Sequence, residues 1–73
     1  MRIDYDEEAD YVFFHLVEEE NVPSTNQVYL ADTVILDLDK NGRPIGLDIV
    51  GVKDRFPENV IDYFKANTLP MEN

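Results

Sequence analysis

Thr33-Val34-Ile35-Leu36-Asp37-Leu38-Asp39-Lys40-Asn41-Gly42-Arg43-Pro44-Ile45-Gly46-Leu47-Asp48-Ile49 is the stretch that decides the architecture. Apolar and polar residues alternate on both sides of an Asn-Gly step. That is the pattern of two antiparallel strands joined by a tight turn in which Asn41 and Gly42 take positive φ. The strands are expected over 33–39 and 44–50, with Pro44 at a strand start, where its missing N–H need not break a ladder bond. Folded this way, Asp37 and Asp39 project from one face and Asp48 lies across on the partner strand, so solvated carboxylates line the sheet beside the turn.

Toward the N-terminus, Met1, Ile3 and Tyr5 share one face of a short first strand. Asp6-Glu7-Glu8-Ala9-Asp10 supplies turn chemistry, because Asp side chains bond backbone N–H groups two residues on. Tyr11 to Val17 is aromatic and β-branched, which favours a strand. Its odd and even positions both carry apolar groups, so it is expected to be central and covered on both faces, in a hairpin with the first strand. Glu18 to Asn26 is polar and contains Pro23, which marks an exposed, mobile loop. Gln27 to Ala31 reads as a short strand.

Beyond the hairpin the period changes. From Val52 to Asn67, Pro57 suits the first turn of a helix, Glu58 complements its N-terminus, and Val60, Ile61 and Phe64 fall at helical spacing. Lys65 and Asn67 suit its end. The fold class is α+β: an antiparallel β-meander of four to five strands with one C-terminal helix packed on a face. Residues 1–67 form the single domain and 68–73, broken by Pro70, a frayed tail.

Seventy-three residues build only a thin core, and without cysteine neither a disulfide nor a thiolate metal site reinforces it. Pairing with a second copy is the remaining source of buried area, so a homodimer is expected. Sixteen acidic against six basic side chains give a formal charge of −10. That field repels phosphate and attracts a basic protein or peptide, which argues against nucleic acid as a partner. No apolar run has the length of a membrane span, and the simplest location is the cytoplasm.

Asp37-x-Asp39-x-Asn41-Gly42-x₅-Asp48 matches the skeleton of a calcium loop, with oxygen donors at relative positions one, three, five and twelve and Gly at six. The flanks, however, alternate with strand period, and position twelve is Asp rather than the longer bidentate Glu. Asp37, Asp39, Asn41 and Asp48 are therefore candidates for gathering a divalent cation as the alternative reading, and no metal or cofactor is assigned.

His15, the single imidazole, would act in catalysis as a general base beside Asp4, Asp6 or Asp10. Ser24, Thr25, Thr33 and Thr68 sit in no activating motif, and a lone His in an aromatic strand is expected to pack. Carboxylate pairs arise here from composition alone. Gly42, Gly46 and Gly51 fall around the last strand rather than before a helix, so no phosphate loop is present. The phenylalanines are expected in the core, and some of Tyr5, Tyr11, Tyr29 and Tyr63 at an interface. The chain is read as a non-enzymatic protein-binding module with no catalytic residues.

The chain also resembles the small prokaryotic domain-of-unknown-function 2283 family. The matching pieces are Tyr5-Asp6-x-x-Ala9-Asp10 before an aromatic strand, Asp32 before Val34-Ile35-Leu36-Asp37, and Asp39-x-Asn41-Gly42-Arg43-x-Ile45-Gly46-Leu47-Asp48-Ile49. They cover residues 1 to 51. Asn41 and Asp48 stand where that family often has Asp and Glu. The resemblance implies a β-meander with a helix and carries over no catalytic residues. Some relatives look like the antitoxin half of a toxin–antitoxin pair that neutralises a small ribonuclease-like toxin.

Overall fold

A computed structural model describes residues 1–19 and 22–68. Five strands, β1 (Arg2–Asp6), β2 (Tyr11–His15), β3 (Asn26–Ala31), β4 (Val34–Leu38) and β5 (Pro44–Val50), precede two helices, α1 (Val52–Arg55) and α2 (Glu58–Asn67). All strand pairs are antiparallel. The spatial order is β1-β2-β5-β4-β3. The meander therefore comes in two pieces, β1–β2 and β3–β4–β5. The chain crosses from β2 to β3 at the far edge, and β5 returns to pair with β2.

Register sorts the side chains. Ile3 and Tyr5 of β1, Val12 and Phe14 of β2, Val34 of β4, and Leu47 and Ile49 of β5 join Val52, Phe56, Val60, Ile61 and Phe64 in one apolar cluster under the helices. Phe64 is its hub, with ring centroids 5.2 Å from Phe56, 5.6 Å from Phe14 and 6.2 Å from Tyr5. The alternate residues of the same strands point to the other side, where no described helix or strand forms a second layer. This corrects the expectation for β2. Val12 is fully buried, but Tyr11, Phe13 and His15 are only half-buried, because β2 is covered on one face alone.

The β4–β5 turn also differs in type from the two-residue turn expected. Asp39 accepts the Gly42 N–H at 3.0 Å, and its own N–H donates to Arg43 O at 2.9 Å. Gly42 has φ 79°, and Asn41 is not among the positive-φ residues. The turn thus has three residues, Lys40 to Gly42, with glycine alone in the left-handed position, which is the bulged hairpin form. A register shift between Asp37 and Leu38 accompanies it.

Asp10 holds the β1–β2 turn and α1 together. It is the one non-glycine residue with positive φ among those described, at 55°, a conformation that Asp tolerates better than most residues. Its carbonyl accepts the N–H groups of Gly51 and Val52, and its Oδ1 accepts that of Lys53 at 2.9 Å. The helix is thereby capped by a residue distant in sequence. Where one helix is expected, starting at Pro57 and Glu58, the structure has two: α2 starts there, and the short α1 precedes it. Pro57 takes φ −66° and ψ 159° and lacks the N–H needed to continue α1, so it stands as the N-cap of α2.

Glu58 and Lys65 occupy the ends of α2 that suit their charges, and Asn67 Nδ2 donates to Tyr63 O at 2.8 Å. Thr68, expected in the frayed tail, belongs to the fold. It bridges Ile3, and its Oγ1 accepts the Tyr5 N–H at 2.9 Å. Residues 69–73 of that tail lie outside the described residues, as do 20 and 21 of the loop between β2 and β3.

Gly46 has a packing role. A Cβ there would lie 2.5 Å from the tip of the Phe13 ring, which covers this position from the neighbouring strand. Gly46→Ala is expected to displace that ring and cost about 1–3 kcal/mol, measured as a lower urea midpoint with an unchanged slope. An unaltered midpoint would show that Phe13 moves aside freely.

Candidate functional site

The uncovered face of the sheet gathers most of the residues that carry chemistry. Alternation puts Asp4, Tyr11, Phe13, His15, Ile35, Asp37, Gly46 and Asp48 on this side. A chain of polar groups crosses four strands. The Tyr11 hydroxyl donates to Asp48 Oδ1, Gln27 Nε2 donates to Asp37 Oδ1 at 2.9 Å, and Asp37 and Asp48 are diagonal neighbours on β4 and β5 between them. Two carboxyl groups share a hydrogen bond only when one of them holds a proton. Burial, then the bond to Asp37, pushes the Asp48 carboxyl up to about 6, against the partial opposition of the Tyr11 bond. Burial and the carboxylate of Asp48 raise the Tyr11 phenol well above its ordinary value.

A second cluster lies at the β1 end of the face. His15 Nε2 is 2.6 Å from Asp4 Oδ2 and 2.9 Å from Arg2 Nη2. A neutral imidazole serves one of them at a time, donating to Asp4 or accepting from Arg2. The Phe13 ring stands edge-on to His15 at 4.4 Å. A recess of about 610 Å³ opens beside them, lined by Arg2, Phe13, His15, Val22, Asp37 and Ile45 among others.

The calcium-like cluster is divided by the fold. Asp37 and Asp48 meet on the open face, but Asp39 turns into its own loop. Its Oδ1 accepts the N–H groups of Asn41 and Arg43 at 2.9 Å, and its Oδ2 takes Arg43 Nε at 2.9 Å. These bonds, the Arg43 backbone N–H foremost, hold its carboxyl below the usual carboxylate range. Neither Asp37 nor Asp39 is the solvated side chain expected, since they are 6% and 5% exposed. Asn41 is exposed in the turn. Among the described residues, no group of three or more His, Cys, Asp or Glu side chains could hold a metal ion.

Of the three acids considered for His15, the structure brings up Asp4 alone. Asp6 accepts the Ala9 N–H at 3.1 Å, and Asp10 caps α1. The hydroxyls have other uses. Ser24 lines the recess but donates to Asn26 O at 3.4 Å, and Thr25 donates to Leu38 O at 3.5 Å. Thr33 is bonded by Arg55, and Thr68 donates to Phe64 O at 2.7 Å. Gln27 and Tyr11 were not singled out by sequence reasoning as polar site residues. The shared odd parity of Tyr11, Phe13 and His15 is a signal for one face, but linking them to Asp48 and Asp37 needs the β2–β5 pairing.

Helices on one side of a sheet, with aromatic and carboxylate groups on the other, define a one-sided α+β domain. Residues 2–53, which hold all five strands, match the family described as Protein of unknown function (DUF2283), and the chain belongs to that family. No curated protein and no solved structure matches it significantly. Among the described residues, no helix is long and apolar enough to cross a membrane.

The Asp37–Asp48 pair makes stability depend on pH. A carboxyl whose folded value lies above its ordinary 3.8 stabilises the fold when protonated. That contribution is complete below the unfolded value and is lost as pH rises through about 6. Asp48→Asn keeps an acceptor for Tyr11 and provides a permanent donor for Asp37. Its melting temperature is therefore expected to overtake that of the wild type between about pH 4 and about pH 7. Parallel melting curves across that range would refute the shared proton.

Proposed function

We propose that this protein is a non-enzymatic binding module that docks a basic protein on the open face of its sheet. The observation that carries this reading is the composition of that face. Half-buried Tyr11, Phe13 and Ile35 are interleaved with Asp4 and Asp48 around the more deeply set Asp37, and no described helix or strand packs over them. Apolar rings beside carboxylates suit Lys and Arg side chains, whose stems lie on the rings while their heads reach the acids. The recess beside Phe13 and Asp37 offers an anchor point of this kind.

Charge supports the same reading. The net −10 field draws a basic partner and repels nucleic acid. Several of the few cations are already engaged: Arg43 with Asp39 and Glu19, Lys65 with Glu7, and Arg2 with Asp4. With 16 acids against 6 bases, most acids stay unpaired and dominate the outward field. His15 is occupied by Asp4 and Arg2, with no free hydroxyl aimed at it, which favours binding over catalysis. A small basic toxin is the partner that the family resemblance suggests, which would make this chain antitoxin-like.

Affinity capture from source cells tests the proposal, with the wild type beside an Asp4→Lys, Glu18→Lys double variant. Asp4 lies on the open face and Glu18 lines the recess beside it, and both side chains are accessible. A basic protein should be retained by the wild type, and binding should weaken about tenfold or more in the variant and with added salt. Equal recovery on wild type and variant, or binding indifferent to salt, would refute it.

A further inference from the structure

The two edges of the sheet are built differently. On β1, Thr68 bridges Ile3 and takes up the Tyr5 N–H, and the strand itself carries Arg2, Asp4 and Asp6. On β3 all six residues are exposed, among them Val28 at 43%, Tyr29 at 62% and Leu30 at 62%. The helices do not reach this strand; α2 packs on β1 at the opposite edge. Natural edge strands are guarded by charge, proline or bulges. From Asn26 to Ala31 there is neither a charge nor a proline, and the one irregularity, at Leu30, leaves Asn26 to Tyr29 as a regular run.

We infer that β3 is the seam of a homodimer, in which two copies pair this strand antiparallel about a twofold axis. With the axis at Val28, inside the regular run, the two valines meet on the helix side, and Gln27 meets Tyr29 of the partner subunit on the other side. The contact is self-complementary and continues the apolar face across both subunits. Its neutrality selects the occupant. A second copy, itself at −10, meets no like charge along the seam, whereas a basic strand finds no acid there to pair with. One six-residue strand falls short of the roughly 800 Å² per partner of a standard interface. Micromolar association is therefore expected. The inference stands apart from the proposed docking face, which lies on other residues.

Sedimentation from about 1 µM to about 1 mM should show a reversible monomer–dimer equilibrium. Val28→Lys, placing two like charges face to face at the seam, should weaken it at least about tenfold. Circular dichroism should remain that of the wild type, because the site is exposed. On the wild type itself, hydrogen exchange should protect β3 amides at high concentration and release them on dilution. The Asp4→Lys, Glu18→Lys variant should dimerise normally, which separates this result from the fate of the docking face. A wild type monomeric throughout, dimers that survive the lysine substitution, or β3 exchange independent of concentration would overturn the inference.

Discussion

The double pairing of β5, with β2 on one side and β4 on the other, is the constraint on which the rest of the structure depends. Through it Leu47 and Ile49 enter the core while Gly46 and Asp48 face outward, and the strands on either side inherit the same division. A slip of one residue would reverse the two sets. The turn before β5 opposes such a slip. Asp39 gathers the Asn41 and Arg43 amides and the Arg43 guanidinium, and Gly42 takes the one left-handed position the loop requires. Phe13 covers Gly46, where a larger residue would meet its ring, so side-chain packing reinforces the same register.

A chain with so many acids must place them at low cost, and this one does so in three ways. Asp6, Asp10 and Asp39 satisfy backbone N–H groups in turns and at a helix start, where a carboxylate is a favourable acceptor. Others face solvent. Asp37 and Asp48 are the exception, two carboxyl groups that are diagonal neighbours on a half-covered sheet. The fold does not require that pair, and at neutral pH their mutual repulsion works against it. Its position among Tyr11, Phe13 and Ile35 connects it to the face proposed for binding.

The core is small and lies to one side. Ile3, Val12, Ile49, Val52 and Phe64 are buried beneath helices that serve the β1, β2 and β5 half of the sheet, leaving β3 exposed along its length. A domain of this size buries a limited share of its surface. The uncovered face and the open edge follow from having two short helices rather than enough helix to cover the whole sheet.

Local signals made the strands readable. Alternation marked β4 and β5, aromatic and β-branched residues marked β2, and the change to helical spacing marked α2. Pro57 and Glu58 marked the start of α2, whereas the four residues of α1 are too few for a helical period to show. The candidate site was legible only in fragments. Asp37 and Asp48 stood out, but so did Asp39, because spacing alone cannot tell a carboxylate aimed across a sheet from one that folds back on its own turn. His15 was visible without its partner, and Asp10 resembled a catalytic neighbour until its distant amides came into view.

What the residues alone determined was each segment's period and the sign of the whole molecule's field, since both depend on near neighbours or on a simple sum of charges. Only the tertiary structure decided that β5 sits beside β2, that one face stays bare, and which acids meet. Those outcomes depend on contacts between residues far apart in the chain, and such contacts are chosen by the packing of all the elements together.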